Sequence, residues 1–160
     1  VEDEFQVVLI PFLTSCHPIA QGDNDMSYLK RLADEVSSWP NVSVHSHRFG
    51  GQEFRFGKAE IGHLHSNGTV DIPFPRAIRD ALLEEGQAEA HRWVPNSGWT
   101  TFRVRSDADV GHAVELLRVS YLRYALKAAS NPGDFLKQES EALHLNSRFT
   151  ALLEKVRGGV

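Results

Sequence analysis

The chain has 160 residues, 41% of them hydrophobic and 24% charged, with a formal net charge of -4. Those proportions describe one domain that can bury a core without disulfides or metal staples. No basic block offers a nucleic acid electrostatic support, and the single cysteine, Cys16, excludes an intramolecular disulfide and a cysteine-based zinc site.

The first apolar run, "FQVVLIPFL" at residues 5–13, reads as a strand, with Pro11 suiting an edge. It is too short to span a bilayer and lacks the basic front of a signal peptide. The chain begins at Val1 rather than Met, so the expectation is a processed product, cytoplasmic unless a targeting segment precedes Val1. Residues 27–39 form a predicted helix, with Tyr28, Leu29, Leu32, Val36 and Trp39 at helical spacing. Pro40 and Asn41 end it, and "VSVHSHRF" at 42–49 alternates as a strand before the turn Gly50-Gly51.

A three-stranded meander is expected next. Gly57-Lys58 makes a two-residue hairpin between "QEFRF" and "AEIGHLH", setting Arg55 opposite Glu60 and Phe54 opposite Ile61. Asn67-Gly68 signals a second hairpin into "TVDIPF". Pro75 suits the first position of a helix over 76–85, which Gly86 stops. Two further strands, "AEAHRWV" and "TTFRVR", flank the loop "PNSG". Ser106 to Asp109 is a predicted N-cap for a helix carrying Val110, Ala113, Val114, Leu117, Tyr121 and Tyr124 on one stripe. After Asn131-Pro132-Gly133, one last helix is expected over 134–156, with Phe135, Ala142, Leu145, Phe149, Leu152 and Val156 apolar. Hairpins imply antiparallel pairing, and amphipathic helices need a sheet face to cover. The fold class is α+β: a single domain, 1–160, of mainly antiparallel sheet with helices packed on it. The apolar terminal segments need cover from the domain or from a second copy, which makes a homodimer possible.

The stretch "KAEIGHLHSNGTVDIPFP" gathers Glu60, His63, His65 and Asp71. Strand alternation puts His63 and His65 on one face with Ala59, Ile61, Phe54 and Phe56, and Glu60 on the other with Arg55 unless a bulge re-aims it. A two-residue Asn67-Gly68 turn sends Asp71 to the face away from the histidines. A three-residue Ser66-Asn67-Gly68 loop sets it beside His63. The apolar pattern favours the two-residue turn, because Val70, Ile72 and Phe74 then complete one hydrophobic face. Three readings of the histidines stay open: core-rim residues bonded to backbone or water, acid–base groups beside an apolar pocket, or metal ligands. His91 stands alone in its strand, and Arg118 is either solvated or within reach of a carboxylate. His45 and His47 form a second H-x-H pair, so that spacing alone does not mark a site.

"RFGG", "EIGHLH", "DIPFP", "GQAEAH", "PNSGW" and "AVELLRVSY", in this order, resemble the luciferase-domain family of small bacterial and fungal proteins over about residues 41–125. The likeness is closer to the short bacterial members than to the light-emitting fungal enzymes. It implies an oxygenase that joins dioxygen to a small electron-rich, hydroxypyrone- or phenol-like substrate, without flavin or other cofactor. It also implies a site from His63, His65, His91 and Glu60 as catalytic groups, with Trp99 and Phe102 bounding the substrate. Asp71 departs from the fungal pattern and bears on substrate choice. The alternatives are a metal-dependent or metal-binding protein using His63, His65 and His91, and a non-catalytic module binding a small molecule. The partner is a small-molecule substrate, with no nucleic acid and no membrane span.

Overall fold

The computed structural model describes residues 27–48 and 50–158. Its elements run α1 (Ser27–Ser37), β1 (Val42–His47), β2 (Gly51–Phe56), β3 (Ala59–Leu64), β4 (Thr69–Pro73), α2 (Arg76–Glu84), β5 (Glu89–Ala90) and β6 (Trp99–Arg103). A 3-10 turn, Asp107–Asp109, then leads into α3 (Val110–Ala128), α4 (Pro132–Ala142) and α5 (Ser147–Gly158). The strands form one six-stranded sheet in the order β1-β2-β3-β4-β6-β5, with every pairing antiparallel. The expected α+β fold is therefore found. No helix is long and apolar enough to cross a membrane among the described residues. The predicted strand at 5–13 lies outside the described residues.

One hydrophobic cluster joins the helices to one face of the sheet. Leu32 and Val36 of α1, Ile78 of α2, Leu117, Tyr121 and Leu122 of α3, and Leu153 of α5 are fully buried against Phe54, Val70 and Ile72. Each large apolar side chain so buried contributes roughly 1.5–3 kcal/mol. The C-terminal tail belongs to this cluster through Phe135, Leu136, Leu143 and Phe149, so its own domain covers its apolar stripe. The Arg118 guanidinium lies over Trp39 and Tyr121 and makes a two-pronged bond to buried Glu139, at 2.8 and 2.5 Å. The single helix expected over 134–156 is two. His144 takes a φ of 50°, and the Asn146 side chain accepts from the Phe149 N–H, which starts a fresh helix.

Two features of the register differ from expectation, and both concern β3. Gly57-Lys58 forms the two-residue hairpin, and Arg55 does pair with Glu60. Phe54, however, pairs with Gly62, so Ile61 is an extra residue and β3 bulges. Ile61 is fully buried, and a Cβ on Gly62 would stand 2.6 Å from Leu117 Cδ2, so both residues turn to the helix side. The phase of the strand shifts there. Glu60 and His63 now share the face away from the helices, and the two separate polar rows expected become one.

The second difference is the Asn67-Gly68 turn. His63 pairs with Asp71 and Leu64 with Val70, which requires the three-residue loop Ser66-Asn67-Gly68. The Gly68 N–H donates to the His65 carbonyl, the His65 N–H donates to the Thr69 carbonyl, and Gly68 has a φ of 82°. Asn67 closes the loop by accepting from the Thr69 N–H at 3.0 Å. Val70, Ile72 and Phe74 still enter the core. The bulge in β3 removes the conflict that made the shorter turn attractive.

Gly62 sits at a φ of 152° beneath Leu117, a position where a side chain meets both backbone strain and a steric clash. Gly62→Ala is expected to lower stability by about 1–3 kcal/mol in denaturant unfolding. Wild-type stability would show that the bulge is not held tightly.

Candidate functional site

The face away from the helices carries a row of aligned polar residues. Asp71 is the centre of it, opposite His63 on β3 and opposite Thr101 on β6. Its side chain is buried, and a carboxylate taken from water must be paired. The Thr101 hydroxyl donates to Oδ1 at 2.5 Å. Three imidazoles present Nε2 to the other oxygen, Oδ2: His65 at 3.1 Å, His63 at 3.3 Å and His91 at 3.6 Å. His91 reaches it although β5 ends at Ala90, because its N–H still donates to the Trp99 carbonyl and continues the ladder.

The three rings differ in what their other nitrogen does. His63 Nδ1 lies 2.6 Å from Glu60 Oε1, so both of its nitrogens face carboxylates. Burial opposes a charge on His63. The bonds to Asp71 and Glu60 outweigh it and raise the imidazole from 6.5 to about 9. Burial likewise opposes the Asp71 charge, and the bonds from His63 and Thr101 prevail, bringing the carboxyl down to about 2. His63 is thus an imidazolium clamped between two carboxylates. His91 Nδ1 accepts from the Trp93 N–H at 3.2 Å, which places its proton on Nε2, toward Asp71. His65 directs Nε2 to Asp71, and among the described residues its Nδ1 has no hydrogen-bond partner. In the neutral ring that nitrogen keeps an open lone pair.

Aromatic groups roof the cluster. The His47 ring stacks on His63 at 3.9 Å between centroids and 12° between planes, and Trp99 tilts over His63 at 5.5 Å. A cleft of about 220 Å³ opens beside Asp71, lined by His65, Asn67, Thr69, His91, Arg92, Trp93, Thr101 and Arg103. His65 also borders a larger, mostly apolar groove of about 470 Å³ against α1.

The structure therefore brings His63, His65, His91, Glu60, Asp71 and Trp99 together and leaves Phe102 apart. Phe102 pairs with Val70 on the helix side and packs on His112, with ring centroids 4.8 Å apart. Glu60 does not serve Arg55, whose guanidinium bonds Glu53 instead. Residues absent from the expected site are Thr101, which only the register could locate, and His47, which stood out in sequence only as half of a second H-x-H pair. His47, His63 and His65 also bring ligand nitrogens within 4.8 Å of one another, so His47 rather than His91 completes a potential three-imidazole metal set.

Residues 58–120 match the family model of the luciferase domain. The matched segment contains Glu60, His63, His65, Asp71, His91, Trp99 and Thr101 but not His47. Searches of curated proteins and of solved structures gave no match.

The His63–Asp71 pair sets a pH dependence. A folded-state value near 9 against 6.5 means that the stabilisation is complete below about 6.5 and is lost as pH rises through 9. The depressed Asp71 value gives the acid limb of the same pair: stability present above about 3.8 falls away as pH drops toward 2. Thermal melting is expected to decline between pH 6.5 and 9, and histidine NMR should show the His63 ring protonated at pH 7. A His63 midpoint near 6.5 would contradict the clamped imidazolium.

Proposed function

We propose that this protein is a luciferase-like oxygenase acting on a small electron-rich hydroxypyrone- or phenol-like substrate, with dioxygen and without flavin. The observation that carries the reading is the convergence of three imidazoles on one oxygen of Asp71, with His65 alone among the described residues offering an unoccupied ring nitrogen at the cleft. Asp71 orients His65 through its Nε2–H, and Nδ1 takes the proton of the substrate hydroxyl. The resulting anion is electron-rich at the adjacent carbon. That carbon forms a bond to one atom of dioxygen, being oxidised as dioxygen is reduced to the peroxide level. The terminal peroxide oxygen then recovers the proton from His65. His63, with both nitrogens occupied, is a positioning residue that fixes Asp71, and Glu60 acts through His63.

A metal-dependent reading has its own support in the three close ligand nitrogens of His47, His63 and His65. A divalent cation there would take the place of the proton that His63 shares with its carboxylates.

Oxygen-electrode measurements on a panel of hydroxypyrones and hydroxyaromatics test both. The expected result is one dioxygen consumed per substrate, unchanged by chelator, with no stoichiometric metal in the purified protein. His65→Gln should lower kcat by about 10²–10⁴-fold, and Glu60→Gln should lower activity less than His63→Ala. No uptake with any substrate would overturn the oxygenase reading. Metal near one per chain, lost in His47→Ala together with activity, would replace it with the metal-dependent one.

A further inference from the structure

Arginines in this chain are mostly spoken for. Arg55, Arg79, Arg118 and Arg148 each meet a carboxylate. Arg92 and Arg103, both exposed, line the Asp71 cleft and meet no carboxylate among the described residues. Arg103 Nη1 lies a marginal 3.5 Å from the Thr69 hydroxyl. Arg92 lies 5.0 Å over the Trp93 ring, which holds the guanidinium against the aromatic face. Trp93 itself is 78% exposed, an unusual position for the largest apolar side chain unless something planar covers it.

The electrostatics of the cleft fit an anion at its mouth rather than at its floor. The Asp71 charge is turned toward Thr101 and three imidazoles, while Arg92 and Arg103 stand at the rim. Glu89, opposite Thr101 on β5, is exposed and outside the cleft lining. Guanidinium groups recognise planar carboxylates through paired N–H donors. A volume of about 220 Å³ is below the roughly 300–1,000 Å³ of drug-sized sites, so a single-ring ligand fits.

We infer that the cleft binds a small planar hydroxyaryl or enolic acid, its carboxylate held by Arg92 and Arg103 and its ring laid on Trp93. This deepens the oxygenase reading, since the same molecule would present its hydroxyl to His65, but recognition of the acid does not depend on turnover.

Binding of 4-hydroxybenzoate and of its uncharged methyl ester, measured by isothermal titration without any reaction, is the test. The acid is expected to bind the wild-type protein at least about tenfold more tightly than the ester. Arg92→Gln and Arg103→Gln should each weaken the acid by about tenfold while leaving the ester and the melting temperature unchanged. Trp93→Ala should weaken both probes alike. Equal affinity for acid and ester, undetectable binding of the acid at millimolar concentration, or acid binding indifferent to both arginine variants would overturn the inference. Failure of dioxygen uptake, with the acid preference intact, would overturn only the oxygenase reading on which it rests.

Discussion

Asp71 is a carboxylate withdrawn from water on a sheet, and its need for partners organises everything around it. One oxygen takes the Thr101 hydroxyl and the other is shared by three imidazoles from two separate stretches of chain. A buried ion pair is costly to desolvate and is stable only when its remaining lone pairs and protons are met. Here they are: His63 spends its second nitrogen on Glu60, and His91 spends its own on the Trp93 amide. What remains is one imidazole, His65, oriented by the carboxylate yet with a lone pair free for chemistry.

The helical layer makes this possible from below. Gly62 lets α3 approach the sheet closely enough that Leu117 fills the space where a side chain would stand. The bulge that Gly62 shares with Ile61 sets Glu60 on the same face as His63. The Arg118–Glu139 pair, under Trp39 and Tyr121, ties the C-terminal helices to α3. The tail thereby steadies the helix that supports the strands carrying the site.

Much of this was legible in the residues. Hairpin chemistry located the Gly57-Lys58 turn, helical spacing located α1 and α3, and motif order linked His91 to His63 and His65 across an intervening helix. The bulge was not legible, because Ile61 and Gly62 are both compatible with an uninterrupted apolar face. Once that phase shift was missed, the two-residue Asn67-Gly68 turn was the only way to keep Val70 and Ile72 buried, and Asp71 went to the wrong side. Phe102 was drawn into the site by the family resemblance, although its three-residue spacing from Trp99 puts the two on opposite faces of a strand. His47 could not be chosen over His45 without knowing that its ring stacks on His63.

The central claim is that His63, His65 and His91 answer to a single carboxylate. The most direct measurement is the ring-nitrogen NMR of all histidines in the wild-type protein and in Asp71→Asn. The account predicts that the signals of His63, His65 and His91 move together, with His63 releasing its extra proton at lower pH, while His112 and His144 stay where they were. A change confined to His63, or spread evenly over every histidine, would contradict the shared carboxylate.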